Sequence, residues 1–265
     1  MFNICVKLEH HMTRLFLYAL QIAFFSGLCL CTSCKRKVKT PDPAELAKRQ
    51  QFSVGYGTPT IDGSGADDAW QQAEWLPLDQ LWIGKMPDST DFKGRYKLLW
   101  DEYNLYLLAE ITDDTLIDFH TDGLEHFWDD DCLEIFVDED AMGGDHQYNY
   151  TAFAYHIALD GKVVDTRPNH HAGYFNDHCL SRRVTMGKTS VWEVAIKLFD
   201  DSYEEEGDNI PKTLNAGKKV GFALAYCDND HSPERENFMG NVVVEGEDKN
   251  QGWKNASIFG VLLLQ

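Results

Sequence analysis

Gly94-Arg-Tyr-Lys-Leu-Leu-Trp-Asp101 and Asn104-Leu-Tyr-Leu-Leu-Ala-Glu-Ile-Thr112 are two β-rich runs joined at Asp101-Glu-Tyr-Asn104. Aromatic and branched side chains suit a pleated, half-buried surface, and Asp and Asn favour the joint, so the pair predicts a hairpin. The same pattern continues outward. Asp160-Gly161 is a strong two-residue turn between the run Tyr148–Leu159 and Lys162–Asp165. Gly187-Lys188 joins Ser181–Met186 to Ser190–Leu198, and Cys132–Asp138, Lys218–Cys227 and Asn255–Leu264 complete the set. Only Asp67–Ala73 and Leu198–Glu206 read as helical, and both are short. Many short strands without a long amphipathic helix predict an all-β fold, an immunoglobulin- or jelly-roll-like antiparallel β-sandwich with short helical turns. No composition break divides residues 52–265, which read as one domain.

The N-terminal part has a different grammar. Lys7 and Arg14 precede the apolar run Leu15–Leu30, the basic and hydrophobic regions of an export signal. Met12 offers an alternative start. The run ends Leu30-Cys31-Thr32-Ser33-Cys34, similar to a bacterial lipobox, so residues 1–34 are expected to be a signal with lipidation at Cys34. Multiple acyl chains there would anchor the protein to a membrane. Residues 35–51 read as a linker, with prolines, charges and a turn or two of helix at Ala44–Gln51. The expected location is the cell envelope, in the periplasm or at the outer membrane.

The chain carries a net charge of −19, which repels phosphate backbones, so nucleic acid is not an expected partner. That charge suits a neutral ligand or one held through Ca²⁺. Cys132, Cys179 and Cys227 are widely spaced after the leader, with neither a disulfide framework nor zinc-ligand spacing, and read as buried small apolar residues. Asp62, Asp67 and Asp68 around Gly63 and Gly65 form a loop that offers oxygens to a hard cation, although Asp67 also suits a helix cap. Asp113-Asp114 and Asp129-Asp130-Asp131 are further cation candidates. Trp70, Trp100 and Trp192 alternate with apolar neighbours and are expected in the core.

Five stretches occur in a telling order: Ile61-Asp-Gly-Ser-Gly-Ala-Asp-Asp-Ala-Trp70, Leu98–Asp113, Trp128-Asp-Asp-Asp-Cys-Leu-Glu-Ile-Phe-Val-Asp138, Trp192-Glu-Val-Ala-Ile196 and Trp253-Lys-Asn-Ala-Ser-Ile-Phe-Gly260. Together they resemble the family 9 carbohydrate-binding modules. The resemblance implies a β-sandwich that binds mono-, oligo- or polysaccharides between aromatic side chains, often beside glycan-degrading enzymes and sometimes with structural Ca²⁺. It implies a binding role for Trp128, and for Glu134 six residues later. Trp253 is the nearest aromatic to a second wall, with Glu245 as the alternative alignment. Tyr148, Asn149 and His156 are candidates for polar contacts. An indole face stacks on sugar C–H groups, and carboxylates and amides read hydroxyls.

Two other functions compete. A glycoside hydrolase would need a carboxylate pair, for which Glu134 and Asp131 are candidates. A haem-binding domain of the DOMON type would need Met and His, from among Met86, Met142, Met186, Met239, His146, His156, His170 and His171. Binding without catalysis is the expected function.

Overall fold

The structure is a computed structural model and describes residues 41–265. The export signal and Cys34 lie outside the described residues. Residues 43–51 were expected to be tether, yet they pack on the domain. Pro43–Leu46 forms a single helical turn, α1, capped by Asp42. Leu46 is buried. Arg49 donates to the carbonyls of Phe259 (2.6 Å) and Ala141 (2.9 Å).

Two sheets face each other. The first runs β10 (Cys179–Met186), β11 (Thr189–Ile196), β5 (Leu105–Asp113), β4 (Phe92–Trp100), with β2 (Leu76–Leu78) paired to β4. The second runs β14 (Gly260–Leu264), β12 (Lys219–Asp228), β6 (Cys132–Asp138), β7 (Phe153–Ala158), β8 (Val163–Thr166), β9 (Ala172–Tyr174). β13 (Asn237–Gly240) pairs with the end of β12, and β3 (Gln80–Ile83) pairs with β13. β1 (Gln51–Tyr56) links the sheets: its first part pairs with β14, and Gly55 and Tyr56 pair with β4. Both pairings are parallel, so the sandwich is mixed where the sequence suggested an antiparallel one.

The expected hairpins form, β4 with β5, β7 with β8 and β10 with β11. Gly161 and Gly187 adopt positive φ at the last two turns, a conformation that costs glycine little. Inward side chains, among them Leu98, Leu107, Leu133, Ile135 and Phe222, form one core between the sheets. The indoles of Trp70, Trp100 and Trp192 are buried as expected. β6 alternates imperfectly in sequence because both its faces are covered. Leu133, Ile135 and Val137 face the inter-sheet core, while Cys132 and Phe136 pack under Trp82, Phe238 and Phe259 on the outer face.

Leu198–Glu206 is not helical. Phe199 and Tyr203 from this segment instead cover the fully buried His178, whose ring lies 4.2 Å from that of Phe199. His178 Nδ1 meets the Tyr155 hydroxyl at 2.7 Å and Nε2 meets that of Tyr203 at 3.1 Å. Burial pushes its pKa down to about 4. The fold therefore holds this imidazole neutral, and its contribution is complete above the unfolded value near 6.5 and lost as pH falls towards 4. Replacing His178 by Gln is expected to remove about 3 kcal/mol of the stability difference between pH 7 and pH 4. Urea unfolding of both proteins at the two pH values measures it; identical pH dependence would refute the assignment.

Candidate functional site

The outer face of the second sheet carries a cleft of about 500 Å³. Its floor starts at Glu134 on β6. The register sets Glu134 opposite His156 on β7 and Ala225 on β12. Glu134 and His156 are buried, and His156 Nε2 lies 3.1 Å from Glu134 Oε2. Burial opposes protonation of His156, but the Glu134 carboxylate beside it wins and raises the imidazole pKa.

Arg235, from the β12–β13 loop, completes the floor. Its guanidinium lies over Phe238 at 4.0 Å, and its Nη1 is 3.8 Å from Glu134 Oε2 and 3.0 Å from Cys227 Sγ. A buried carboxylate is costly unless charge and hydrogen bonds compensate it. Here two cationic or donor groups do so: His156, whose other ring nitrogen meets the Ala154 carbonyl at 3.2 Å, and Arg235, which lines the cleft.

The walls are aromatic. Trp128, in the β5–β6 loop, is 39% exposed, and Trp253, in the β13–β14 loop, is 36% exposed; both line the cleft. Phe127 supports the first wall, edge-on to Trp128 at 4.9 Å and to His156 at 4.7 Å. Tyr148 stacks flat on His170 at 3.8 Å and meets Trp253 edge-on at 6.5 Å. Tyr148 and His170 have φ values of 59° and 69°, and His126, whose ring lies 5.7 Å from that of Trp128, has a φ of 52°. Left-handed backbone at non-glycine residues costs energy and concentrates at functional sites.

Five of the six residues named from the sequence therefore meet in one cleft: Trp128, Glu134, Trp253, Tyr148 and His156. Asn149 does not line it. Tyr148 and Asn149 precede β7 rather than belonging to it, and the Asn149 amide is spent within its own turn, accepting from Thr151 N at 3.0 Å and donating to the Asp145 carbonyl at 3.3 Å. Glu245 is exposed outside the cleft, which leaves Trp253 as the second aromatic. Arg235 and Phe127 had no sequence signal of their own, since each comes from an irregular loop, and His170 drew notice only as a haem-ligand candidate.

The acids sort differently from expectation. Asp62 accepts from Ser64 N at 2.8 Å, Asp67 from Ala69 N at 2.9 Å and Thr60 N at 3.0 Å, and Asp68 from Gln71 at 2.7 Å. These three carboxylates serve local caps and are not gathered around one point. Among the described residues, carboxylates do gather in Asp113, Asp131 and Asp228, with one oxygen of each within 4.8 Å of the others. All three are buried, and no Lys or Arg pairs with them among the described residues. Burial and the neighbouring Asp113 push Asp131 up to about 9, and burial pushes Asp228 to about 7. Asp228 is 2% exposed, and its Oδ1 has no hydrogen-bond partner. Asp91, Asp114 and Asp230 form a second, less buried group.

The inner group lies under the Trp128 loop. Asp131 accepts from the backbone N–H of Ile117 and, at 2.8 Å, of Asn229. Asp130 accepts from Phe119 N and His120 N, each at 2.9 Å, and Asp129 from Arg235 N at 3.3 Å. The Asp129-Asp130-Asp131 run thus clamps the loop that presents Trp128 to the segment that presents Arg235.

The competing residue sets do not come together in this cleft. Asp131 belongs to the acidic group and does not line the cleft with Glu134. None of Met86, Met142, Met186 and Met239 lines the cleft beside its histidines.

Comparison with known proteins bears on the family and the fold. The family described as "Carbohydrate family 9 binding domain-like" matches residues 61–265. Endo-1,4-beta-xylanase A of Thermotoga neapolitana is 26% identical over 220 residues, covering 79% of this chain and 17% of the enzyme. Exoglucanase XynX of Acetivibrio thermocellus is 27% identical over 223 residues, covering 83% of this chain and 18% of that protein. The chain thus spans less than a fifth of these relatives. Among solved structures, a family 9 carbohydrate-binding module from Caldicellulosiruptor kristjanssonii in complex with glucose superposes with a TM-score of 0.61 at 22% identity, over 82% of this chain and 96% of that one. A putative carbohydrate-binding protein from Bacteroides uniformis gives 0.57 at 13% identity, over 82% and 100%.

Proposed function

We propose, from the premise that this chain belongs to the carbohydrate family 9 binding domain-like family, that its cleft holds a neutral saccharide between Trp128 and Trp253 over Glu134. The observation that carries this reading is the pairing of two half-exposed indoles with a buried, compensated carboxylate in one cleft. Indole faces stack on the apolar faces of a pyranose. Glu134 accepts from hydroxyls and Arg235 donates to them, while His156, held by the Ala154 carbonyl, fixes the Glu134 carboxylate. The volume lies in the range of small-ligand sites. The cleft binds without cleaving, and captured glycan is handed to separate degrading enzymes.

Alanine at Trp128 or at Trp253 is expected to weaken binding of glucose or cellobiose about tenfold each, the loss of roughly 1.4 kcal/mol of stacking. Calorimetric titration at sugar concentrations reaching ~1 mM and above measures it. Unchanged affinity in both variants would remove the cleft from consideration.

The family also implies a calcium ion, and the donor set of Asp113, Asp131 and Asp228 fits one better than Asp62, Asp67 and Asp68 do. Hard cations take carboxylate oxygens. The unpartnered Asp228 Oδ1 supports the placement. A cation there would offset most of the charge of the three buried carboxylates and hold the Trp128 loop.

For location, the apolar Leu15–Leu30 run and Cys34 support an exported, lipid-anchored protein at the cell envelope. Cys34→Ser is expected to move the protein from the membrane to the soluble fraction. Retention of the variant in the membrane would contradict the anchor.

A further inference from the structure

Cys132 and Cys227 lie behind the cleft floor, where the saccharide reading gives neither a task. They are direct cross-strand partners, Cys132 on β6 opposite Cys227 on β12. Facing residues of an antiparallel pair have Cα atoms roughly 4.5–5.5 Å apart, inside the ~4.4–6.8 Å span of disulfides. Both side chains are buried, both are free thiols, and both pack in the same outer-face cluster of the second sheet. Cys179, the third described cysteine, lies on β10 of the other sheet.

We propose that Cys132 and Cys227 are a modification site, closing to a cross-strand disulfide in the oxidising compartment to which the proposed export would carry the chain. Cys227 is the entry point, because its sulfur contacts Arg235 at 3.0 Å and Arg235 lines the cleft open to solvent. The Cys227 thiolate attacks a sulfur of a disulfide oxidant, forming a mixed disulfide and releasing one thiol. The Cys132 thiolate then attacks the Cys227 sulfur and releases the second. Two electrons and two protons pass from the protein to the oxidant, whose disulfide becomes two thiols.

The bond would change the floor. Cys227 Sγ also lies 3.9 Å from Glu134 Oε2. Once bonded to Cys132, this sulfur can be neither donor nor thiolate, so Arg235 is left with Glu134 as its charge partner. The closer Arg235–Glu134 pair competes with ligand hydroxyls, so oxidation lowers affinity. This last consequence rests on the saccharide reading, whereas the bond itself does not.

The test is refolding of the full chain in oxidised glutathione, followed by non-reducing peptide mapping, thermal unfolding and cellobiose titration. A peptide pair linked through Cys132 and Cys227 is expected. The closed loop should raise Tm by on the order of 10 °C over protein kept in dithiothreitol. Affinity for cellobiose should fall about threefold, RT ln 3 being about 0.6 kcal/mol. Cys132→Ser and Cys227→Ala should each behave alike in both buffers. Two thiols that remain alkylatable after oxidative refolding, or a link to Cys179 instead, would overturn the proposal. A link and Tm shift in a protein that binds no sugar in either state would uphold the disulfide and sink the saccharide reading.

Discussion

Glu134→Gln is expected to cost at least thirtyfold in saccharide affinity, about 2 kcal/mol, while leaving the sandwich folded. A hydroxyl bonded to a charged acceptor gains roughly 1.5–3 kcal/mol, and the amide surrenders the charge while keeping the shape. The larger part of the loss is indirect. Arg235 and His156 both lean on Glu134, at 3.8 and 3.1 Å. Without the carboxylate, Arg235, which donates to the ligand, and His156 beside it lose the partner that orients them. The His156 pKa, raised by Glu134, should fall in the variant. Calorimetry and histidine NMR measure the two effects separately. A thirtyfold loss accompanied by a lowered His156 pKa supports the floor as described. Affinity within threefold of wild type would show that Glu134 does not read the ligand.

Chelation of divalent cations is the second large effect. Treatment with EDTA is expected to lower Tm by about 10 °C, and added Ca²⁺ to restore it. A ligand at 100 to 1,000 times its Kd stabilises by about 3–4 kcal/mol, and a domain of this size shifts about 2–4 °C per kcal/mol. Asp113, Asp131 and Asp228 lie close together with one buried oxygen unpartnered, so the apo form holds uncompensated acids. Asp228→Asn should abolish the calcium-dependent rise. Because Asp131 also ties Ile117 to Asn229, loosening the group should weaken saccharide binding as well. A Tm indifferent to both EDTA and Ca²⁺ would remove the cation.

What was legible in the sequence follows from what is local. The β4–β5 and β7–β8 hairpins could be read because turn chemistry and β-rich flanks lie within a few residues of each other. The parallel pairing of β1 with both sheets could not, since nothing in Gln51–Tyr56 encodes partners near residues 99 and 262. The acids show the same limit. Asp62, Asp67 and Asp68 drew notice because they are adjacent in sequence, but adjacency in a turn serves backbone N–H groups. Asp113, Asp131 and Asp228 meet only because three strand ends meet. In the cleft, Trp128 and Glu134 could be found through family spacing. Arg235 could not, because its position depends on a loop clamped by Asp129.

The central claim is that the cleft between Trp128 and Trp253 binds a saccharide. Calorimetric titration of cellobiose into the wild-type chain and into a Trp128→Ala/Trp253→Ala double variant tests it most directly. The account predicts saturable one-to-one binding to the wild type and none in the double variant, with both proteins equally folded. Equal binding by the two proteins, or none by the wild type at ~10 mM sugar, about 2.7 kcal/mol of binding free energy, would contradict it.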